Sequence, residues 1–140
     1  MLDTILTEKS LACKENNIVV SCVADGKGLE FLHPIDLYTI FGNAMDNAIE
    51  CVKNLQKQEK RQIDVLIHRQ HQFLIVQIMN PVEEELEFED NLPVTTKHDK
   101  AYHGYGLRSI KNSVKKYNGV FQVKIKDGCF CLKILFPIKE

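Results

Sequence analysis

The spacing of apolar residues predicts three helices. Apolar residues recur at helical spacing, with polar residues between them, from Met1 to Glu15, from about Asp36 to Leu55, and from Leu107 onward. In the second helix they form one continuous stripe. That stripe consists of Leu37, Ile40, Phe41, Ala44, Ala48 and Val52. The third helix is expected to end at Asn118-Gly119 through a left-handed C-cap.

Short runs of β-branched and aromatic residues predict six strands. Four of them form two hairpins, one joined by Asp127-Gly128, a strong signal for a two-residue turn. The hairpin strands are Ile63 to Arg69, Phe73 to Met79, Val120 to Lys126 and Cys129 to Phe136. Two shorter strands are expected at Ile18 to Val23 and Leu29 to Leu32. Hairpins with helices between them predict an α+β fold, a mainly antiparallel sheet with its helices on one face.

Residues 80–103 show no sustained period. A segment this long inside a compact domain is typical of a functional lid or of disorder, so we expect a long flexible lid loop. Residues 83–90 hold six acids and no base, whereas residues 97–116 hold six bases and one acid. Acidic runs are usually solvated. Lys97 and Lys100, close to two glycines, are better candidates for contacting phosphate.

Composition narrows the class of protein without identifying it. The chain has 140 residues, 44% of them hydrophobic, and a net charge of −1, which fits one globular domain and argues against a generally basic nucleic-acid binder. Its five cysteines form no Cys-x-x-Cys pair, so neither a disulfide framework nor a zinc site is indicated. The chain shows no signal peptide and no apolar run long enough to span a membrane. We therefore expect a soluble cytoplasmic domain without direct membrane contact.

Four polar residues share one face of the second helix. Asn43, Asp46, Asn47 and Glu50 stand at i, i+3, i+4 and i+7. A solvated face would explain them, but such faces favour better helix formers than asparagine. Amide oxygens are hard ligands that suit Mg²⁺, which is commonly held by a few protein groups together with substrate phosphates. The stripe therefore leaves two interpretations open, a solvated surface or a metal–phosphate site.

Two further motifs have functional and ordinary interpretations. His103-Gly104-Tyr105-Gly106-Leu107 stands where the irregular segment meets the third helix, and glycines at a helix start allow the backbone to approach an anion. Glycines are equally common in ordinary loops. Asn80 follows the strand Phe73 to Met79. A polar side chain at this position could form a hydrogen bond with the edge of a ligand, or it could simply mark the end of the strand.

These motifs together resemble the GHKL superfamily of ATP-binding domains, which includes sensor histidine kinases, type II topoisomerase subunits, mismatch-repair proteins and a heat-shock chaperone. The run from Asp36 to Glu50 resembles its N box. The residues from His103 to Leu107 resemble its later glycine box, and Thr95-Thr96-Lys97 resembles the lid segment before that box. The resemblance covers nearly all of the chain from about residue 16.

The resemblance implies a two-layer α/β sandwich of the Bergerat type with ATP between the helices and the lid. It implies that Asn47 binds Mg²⁺ at the phosphates, that Asn43 assists, and that these two residues are the catalytic ones. It also implies that Asn80 takes the place of an aspartate that contacts the adenine amino group. The implied nucleotide-binding residues are Asn43, Asp46, Asn47, Asn80, Lys97, Gly104, Tyr105, Gly106 and Leu107.

This chain departs from the family pattern at three positions. The first glycine box, roughly Asp-x-Gly-x-Gly, reads from Asn80 to Glu84 without glycine, and Glu50 stands where many histidine kinases have a basic residue. Both departures resemble the kinases that act as peptide-pheromone receptors or citrate-type sensors. ATPase members place a glutamate base where this chain has Asn43. Because an amide cannot take a proton, the resemblance favours a kinase over a hydrolase.

The resemblance leads to one functional hypothesis with two alternatives. Residues 16–140 would be the catalytic ATP-binding domain of a two-component sensor histidine kinase, and residues 1–15 the end of an absent dimerisation domain or a linker. That absent domain would carry the phosphate-accepting histidine, a response regulator would act downstream, and the parent protein would be anchored in a membrane. The alternatives are a nucleotide-gated interaction module without transferase activity and a GHKL ATPase.

Overall fold

The computed structural model describes residues 2–24, 26–82, 88–89, 92–93 and 100–138, with the backbone alone for 26–27, 88–89, 92–93 and 100–105. The first half contains helix α1 (Leu2–Glu15), strand β1 (Val19–Ala24), helix α2 (Pro34–Val52) and strands β2 (Gln62–Gln70) and β3 (Phe73–Pro81). The second half contains strands β4 (Phe88–Glu89) and β5 (Leu92–Pro93), helix α3 (Lys100–Lys115) and strands β6 (Val120–Lys126) and β7 (Cys129–Pro137).

In the described part of the chain, a five-stranded sheet has the order β1-β2-β3-β7-β6, and its helices pack on one side. Strand β1 runs parallel to β2, and the other neighbours are antiparallel. The predicted fold class, an α+β sandwich with a mostly antiparallel mixed sheet, is therefore confirmed. Both predicted hairpins are present, and Asp127 and Gly128 turn between β6 and β7 with φ of 53° and 74°.

The hydrophobic core lies between the sheet and the helices. Successive strand residues point to opposite faces, so every second residue of β2, β3 and β7 faces the helices. The buried residues of this face are Ile63, Val65, Ile67, Leu74, Val76, Ile78, Phe130, Leu132, Ile134 and Phe136. Asn80 continues the β3 series by one step, opposite Phe130 of β7. Its polar side chain therefore faces the helical layer rather than solvent.

The expected strand at Leu29 to Leu32 is wrong. Residues Gly26–Leu29 form a 3-10 helix, and a turn follows it. Both leucines are buried, and Gly28 packs so tightly that an added Cβ would lie 2.8 Å from Leu74 Cδ1. The apolar residues of this segment therefore anchor a compact turn onto β3, whereas a strand here would need a neighbour to satisfy its backbone.

Helix α2 begins two residues before its predicted start. Its N-cap is His33, whose Nδ1 accepts a hydrogen bond of 3.2 Å from the Ile35 N–H, and Pro34 takes the first helical position. Proline is favoured there because its missing N–H would have no partner within the helix. The N-cap places the Asn43 to Glu50 face on the middle and C-terminal turns of α2.

Helix α3 begins at Lys100, earlier than expected, so Gly104 and Gly106 lie inside the helix rather than before it. Within the expected irregular segment, β4 and β5 also form a two-stranded pair. A helical glycine costs about 1 kcal/mol relative to alanine. The buried positions Leu107, Ile110 and Val114 follow these glycines and pack α3 against the core. Asn118, with φ of 59°, supplies the expected left-handed cap at the other end.

Helix α1 packs against the same core through the buried residues Leu2, Ile5 and Cys13. Its Lys9 forms an ion pair of 2.8 Å with Asp46 of α2. That α1 continues from an upstream dimerisation domain stays a prediction. No helix among the described residues has the length and apolar character needed to cross a membrane.

Candidate functional site

The polar face of α2 lies at the edge of the core. Asn43, Asp46, Asn47 and Glu50 are each partly exposed, between buried neighbours on the same helix. The Asn43 Nδ2 donates a hydrogen bond of 2.8 Å to the Thr39 carbonyl, one turn earlier. This bond occupies the amide nitrogen and leaves the carbonyl oxygen of the side chain to face away from the helix backbone. Asn43 thus presents an acceptor oxygen in a fixed direction.

That oxygen faces Gly106 of α3. A Cβ built on Gly106 would lie 3.4 Å from Asn43 Oδ1 and 3.7 Å from its Cγ. The two sequence motifs, more than sixty residues apart, therefore meet between α2 and α3. Because Gly106 has no side chain, no Cβ stands against the Asn43 oxygen here, and glycine is the residue that lets a backbone come closest to a neighbouring group.

Asn80 is the most deeply buried polar residue of the described chain. It is 1% exposed, and its Nδ2 donates a hydrogen bond of 3.0 Å to the carbonyl of Pro81. Its Oδ1 is fully buried and has no hydrogen-bond partner among the described residues. A buried acceptor without a donor costs about 1–3 kcal/mol. Such a group is expected where a ligand supplies the missing donor.

Cys51 connects Asn80 to the polar face of α2 and was not anticipated from the sequence. Its thiol contacts the Asn80 side chain, and burial raises the pKa of the thiol to about 11 although this contact lowers it. Asn43, Asn47 and Cys51 follow one another at i, i+4 and i+8, a spacing that could have revealed the alignment. The three residues span roughly 12 Å of helix. Gly106 lies at one end of this row and Asn80 at the other.

The other predicted nucleotide-binding residues divide into four groups. Asp46 pairs with Lys9 of α1. The Leu107 side chain is 1% exposed in the core, which leaves its backbone as the part that could meet a ligand. Gly104 and Tyr105 belong to α3. Lys97, Thr95, Thr96 and most of the acidic run lie outside the described residues.

A hydrogen-bonded cluster fixes how α2 and α3 meet. The buried Asp36 carboxylate accepts bonds from the Tyr117 hydroxyl at 2.6 Å and from the Lys116 ammonium at 3.0 Å. The Tyr117 oxygen in turn accepts a bond of 2.9 Å from the His33 N–H. The bonds from Tyr117 and then Lys116 lower the pKa of Asp36. The cluster therefore holds the first turn of α2 against the end of α3, which supports the Asn43–Gly106 contact.

The donor set of this site suits a nucleotide with a hard cation. The described residues contain no group of three or more His, Cys, Asp or Glu side chains arranged to hold a metal. The site offers amide oxygens instead, which suit Mg²⁺ when phosphates supply further ligands. At the other end, the unpartnered Asn80 oxygen suits an amino group. The residues present therefore fit Mg²⁺ and an amino-bearing base such as adenine.

The fold and site together define a GHKL domain. The family model described as "GHKL domain" matches residues 32–137, and the chain belongs to this family. GHKL domains bind ATP, generally with Mg²⁺. A search of the curated proteins found no match.

Solved structures similar to this chain include two of a histidine kinase catalytic domain and one of a second histidine kinase. A nucleotide-free form of the catalytic domain of histidine kinase ThkA matches at a TM-score of 0.72 and 17% identity over 97% of this chain and 90% of that chain. A second nucleotide-free form of the same domain matches at a TM-score of 0.74 and 15% identity, over 97% of this chain and 89% of that chain. Acinetobacter baumannii histidine kinase AdeS matches at a TM-score of 0.62 and 12% identity, over 99% of this chain and 65% of that chain. At these identities the likeness establishes the fold.

Proposed function

We propose that this chain is the ATP-binding catalytic domain of a two-component sensor histidine kinase. It binds Mg·ATP and donates the γ-phosphate to a histidine on a dimerisation domain, and the signal passes on to a response regulator. The observation that carries the proposal is the row on α2 that ends at the unpartnered Asn80 oxygen and at the Asn43–Gly106 contact. The shared fold with histidine kinase catalytic domains supports the choice of reaction.

In this proposal, Asn80 recognises the base through a hydrogen bond. Its Nδ2 is held by the Pro81 carbonyl, so its Oδ1 is the atom left for the ligand. An acceptor oxygen suits the amino group of adenine, as the family's aspartate does by resemblance. Cys51 lies beside the amide, and its raised pKa keeps the thiol neutral next to the base.

Asn47 and Asn43 hold the phosphate end. Their amide oxygens would hold Mg²⁺, which when bound would neutralise charge on the phosphates. We propose that the phosphates lie beside Asn43 near Gly106, which has no Cβ to stand against the amide oxygen. We propose that Gly104, Tyr105 and the backbone of Leu107 line this end, and that Lys97 contacts a phosphate.

Phosphoryl transfer here depends on positioning and on charge neutralisation. Asn43 stands where an ATPase would need a base, and an amide cannot accept a proton from water. Phosphoryl transfer needs little covalent chemistry from the protein. Among the described histidines, the side chain of His33 caps α2, and His68 and His71 lie in and beside β2. We therefore place the acceptor histidine on another domain of the parent protein, in the cytoplasm, and assign the parent to the pheromone-receptor or citrate-sensor subgroup.

Calorimetry tests nucleotide binding. We expect wild type to bind Mg·ATP, and Asn47→Ala to weaken binding by at least about tenfold because it removes the main metal ligand. The matched control is Asn112→Ala, an exposed asparagine of α3 whose replacement brings the same gain in helix propensity. Its affinity should equal that of wild type. No binding by wild type would contradict the proposal and favour a protein-interaction module.

Phosphotransfer tests the reaction. The chain is incubated with γ-labelled ATP and a fragment of a histidine-kinase dimerisation domain. We expect acid-labile, base-stable label on the fragment and none with Asn47→Ala. Steady release of inorganic phosphate without labelled fragment would instead identify an ATPase.

A further inference from the structure

We propose that Lys9 of α1 is a positioning residue that tunes the charge at the phosphate end of the site by acting through Asp46. This inference rests on the proposed function. Lys9 Nζ lies 2.8 Å from Asp46 Oδ1, and the two side chains are only 15% and 30% exposed. The pair is thus partly shielded from solvent, where charges interact more strongly than on an open surface.

Asp46 lies within the group of proposed metal ligands. It directly precedes Asn47 and stands three residues after Asn43, a spacing that places Cβ atoms about 5–6 Å apart. A carboxylate this close to a bound triphosphate would repel it. The ammonium of Lys9 offsets the charge of Asp46, so phosphates meet a nearly neutral surface.

Lys9 keeps its charge at neutral pH. Burial lowers the pKa of Lys9, but the hydrogen bond and the charge of Asp46 outweigh that effect and raise it overall. The docking of α1 does not depend on Lys9, because Leu2, Ile5 and Cys13 bury its apolar side. The charge of Lys9 can therefore be removed while α1 stays in place.

The geometry has a consequence for regulation. Lys9 approaches the site from a different helix, so a shift of α1 that separates Lys9 from Asp46 would expose the carboxylate charge to the phosphates. The position of α1 thereby sets the affinity for the charged end of the nucleotide. The affinity for an uncharged nucleoside would not change with the position of α1.

A series of ligands with increasing charge tests the proposal. Dissociation constants for adenosine, ADP and ATP, each with Mg²⁺, are measured for wild type and Lys9→Met at low ionic strength. We expect Lys9→Met to weaken ATP binding by about threefold to tenfold. The variant should weaken ADP binding by a smaller factor and should leave adenosine binding unchanged. Added salt should reduce the effect. Lys9→Arg, which keeps the charge, should bind ATP as wild type does.

The variant Asp46→Asn changes the local charge, and therefore the expected ATP affinity, in the opposite direction. Removing the carboxylate leaves the positive charge of Lys9, so ATP binding should tighten by a similar factor. The double variant, Lys9→Met with Asp46→Asn, should return toward wild type. Because Asp46→Asn keeps the shape of the side chain, it tests the proposal even if Lys9→Met fails to fold. Weaker ATP binding by Asp46→Asn would mean that Asp46 contacts the ligand directly, and would overturn the proposal.

Lys14→Met is the matched control, because Lys14 is an exposed lysine of the same helix and the change in net charge is identical. Its affinities should equal those of wild type. An equal loss for adenosine and ATP in Lys9→Met would indicate a structural role and refute the charge mechanism. If wild type binds ATP but Lys9→Met leaves every affinity unchanged, the inference alone fails. If wild type binds neither ATP nor adenosine, the proposed function fails with it.

Discussion

The two ends of the Asn80 amide differ in their bonding, and the proposed function assigns recognition of the base to the oxygen. Its nitrogen bonds to the Pro81 carbonyl, and its buried oxygen has no partner among the described residues. In the sequence, the same residue is equally consistent with the end of a strand. In the structure Asn80 lies within β3 and is 1% exposed, so its side chain faces the core, and this burial is the observation that the proposed role uses.

Replacing Asn80 by leucine should separate binding from folding. The change removes the unpartnered acceptor, so we expect the free energy of unfolding to stay within about 1 kcal/mol of wild type. ATP binding should weaken by about 10- to 100-fold, because the base would lose its acceptor. Urea unfolding and calorimetry measure the two effects. Asn54→Leu, at an exposed position after α2, should leave both unchanged. Undiminished ATP affinity in Asn80→Leu would remove Asn80 from the site.

A methyl group at Gly106 should stabilise α3 and weaken ATP binding. Its carbon would lie 3.4 Å from Asn43 Oδ1, a tight contact that fits, so Gly106→Ala should raise stability by up to about 1 kcal/mol through helix propensity. The same methyl would occupy the proposed phosphate space and weaken ATP binding severalfold. Thermal unfolding and calorimetry measure both.

The control for this prediction is Gly42→Ala in α2. Its Cβ would meet only the Tyr38 ring at 3.7 Å, an ordinary contact, and should stabilise the fold without changing affinity. If Gly42→Ala and Gly106→Ala change ATP affinity equally, the space beside Gly106 is not part of the site.

At the scale of elements, the site depends on how α2 and α3 are joined. Asp36 lies in the first turn of α2 and Tyr117 follows α3, and their hydrogen bond links positions 81 residues apart. Phe31 and Phe136 pack edge-on against the Tyr117 ring and each other. This cluster and the Asn43–Gly106 contact lie on the same pair of helices, so loosening one should loosen the other.

The lowered pKa of Asp36 predicts how stability depends on pH. A group with a lowered pKa in the folded state stabilises the fold above its unfolded pKa of about 3.9, and loses that contribution as pH falls through the folded value. We expect Asp36→Asn to be less stable than wild type by about 1–2 kcal/mol at pH 7, with the difference shrinking below about pH 4. Urea unfolding from pH 7 to pH 3 measures it.

Tyr117→Phe provides the comparison for Asp36. It removes the main cause of the lowered pKa but keeps the ring, so its loss of stability toward acid should be shallower than that of wild type. A difference between wild type and Asp36→Asn that stays constant down to pH 3 would show that the carboxylate charge is not what stabilises this junction.

For the molecule as a whole, the nucleotide should stabilise the fold by mass action. At a ligand concentration 100 times the dissociation constant, the gain is about 2.7 kcal/mol. For a domain of this size that raises Tm by about 5–12 °C. We expect this rise with Mg·ATP, and a smaller one when EDTA removes the metal. Differential scanning fluorimetry measures both.

Asn47→Ala separates the contribution of the metal in this experiment. The variant should show a similar small shift with and without EDTA, since its metal ligand is missing. A wild-type shift that does not respond to EDTA would argue against a magnesium-dependent site.

The sequence by itself determined the features that depend on neighbours along the chain. Periodicity predicted the three helices, the two hairpins and the face shared by Asn43 and Asn47, because hydrophobic spacing and turn chemistry act over a few residues. It did not find the start of α3, and it missed the turn at Leu29, where the packing of Leu29 and Leu32 in the core outweighs the local preference for a strand.

Only the tertiary structure decided which distant groups meet. The sheet order turns Asn80 toward Cys51, the helix junction brings Asn43 to Gly106, and the docking of α1 pairs Lys9 with Asp46. Each of these contacts joins residues about 30 or more positions apart. Their burial and partners depend on how whole layers pack, and no local pattern carries that information.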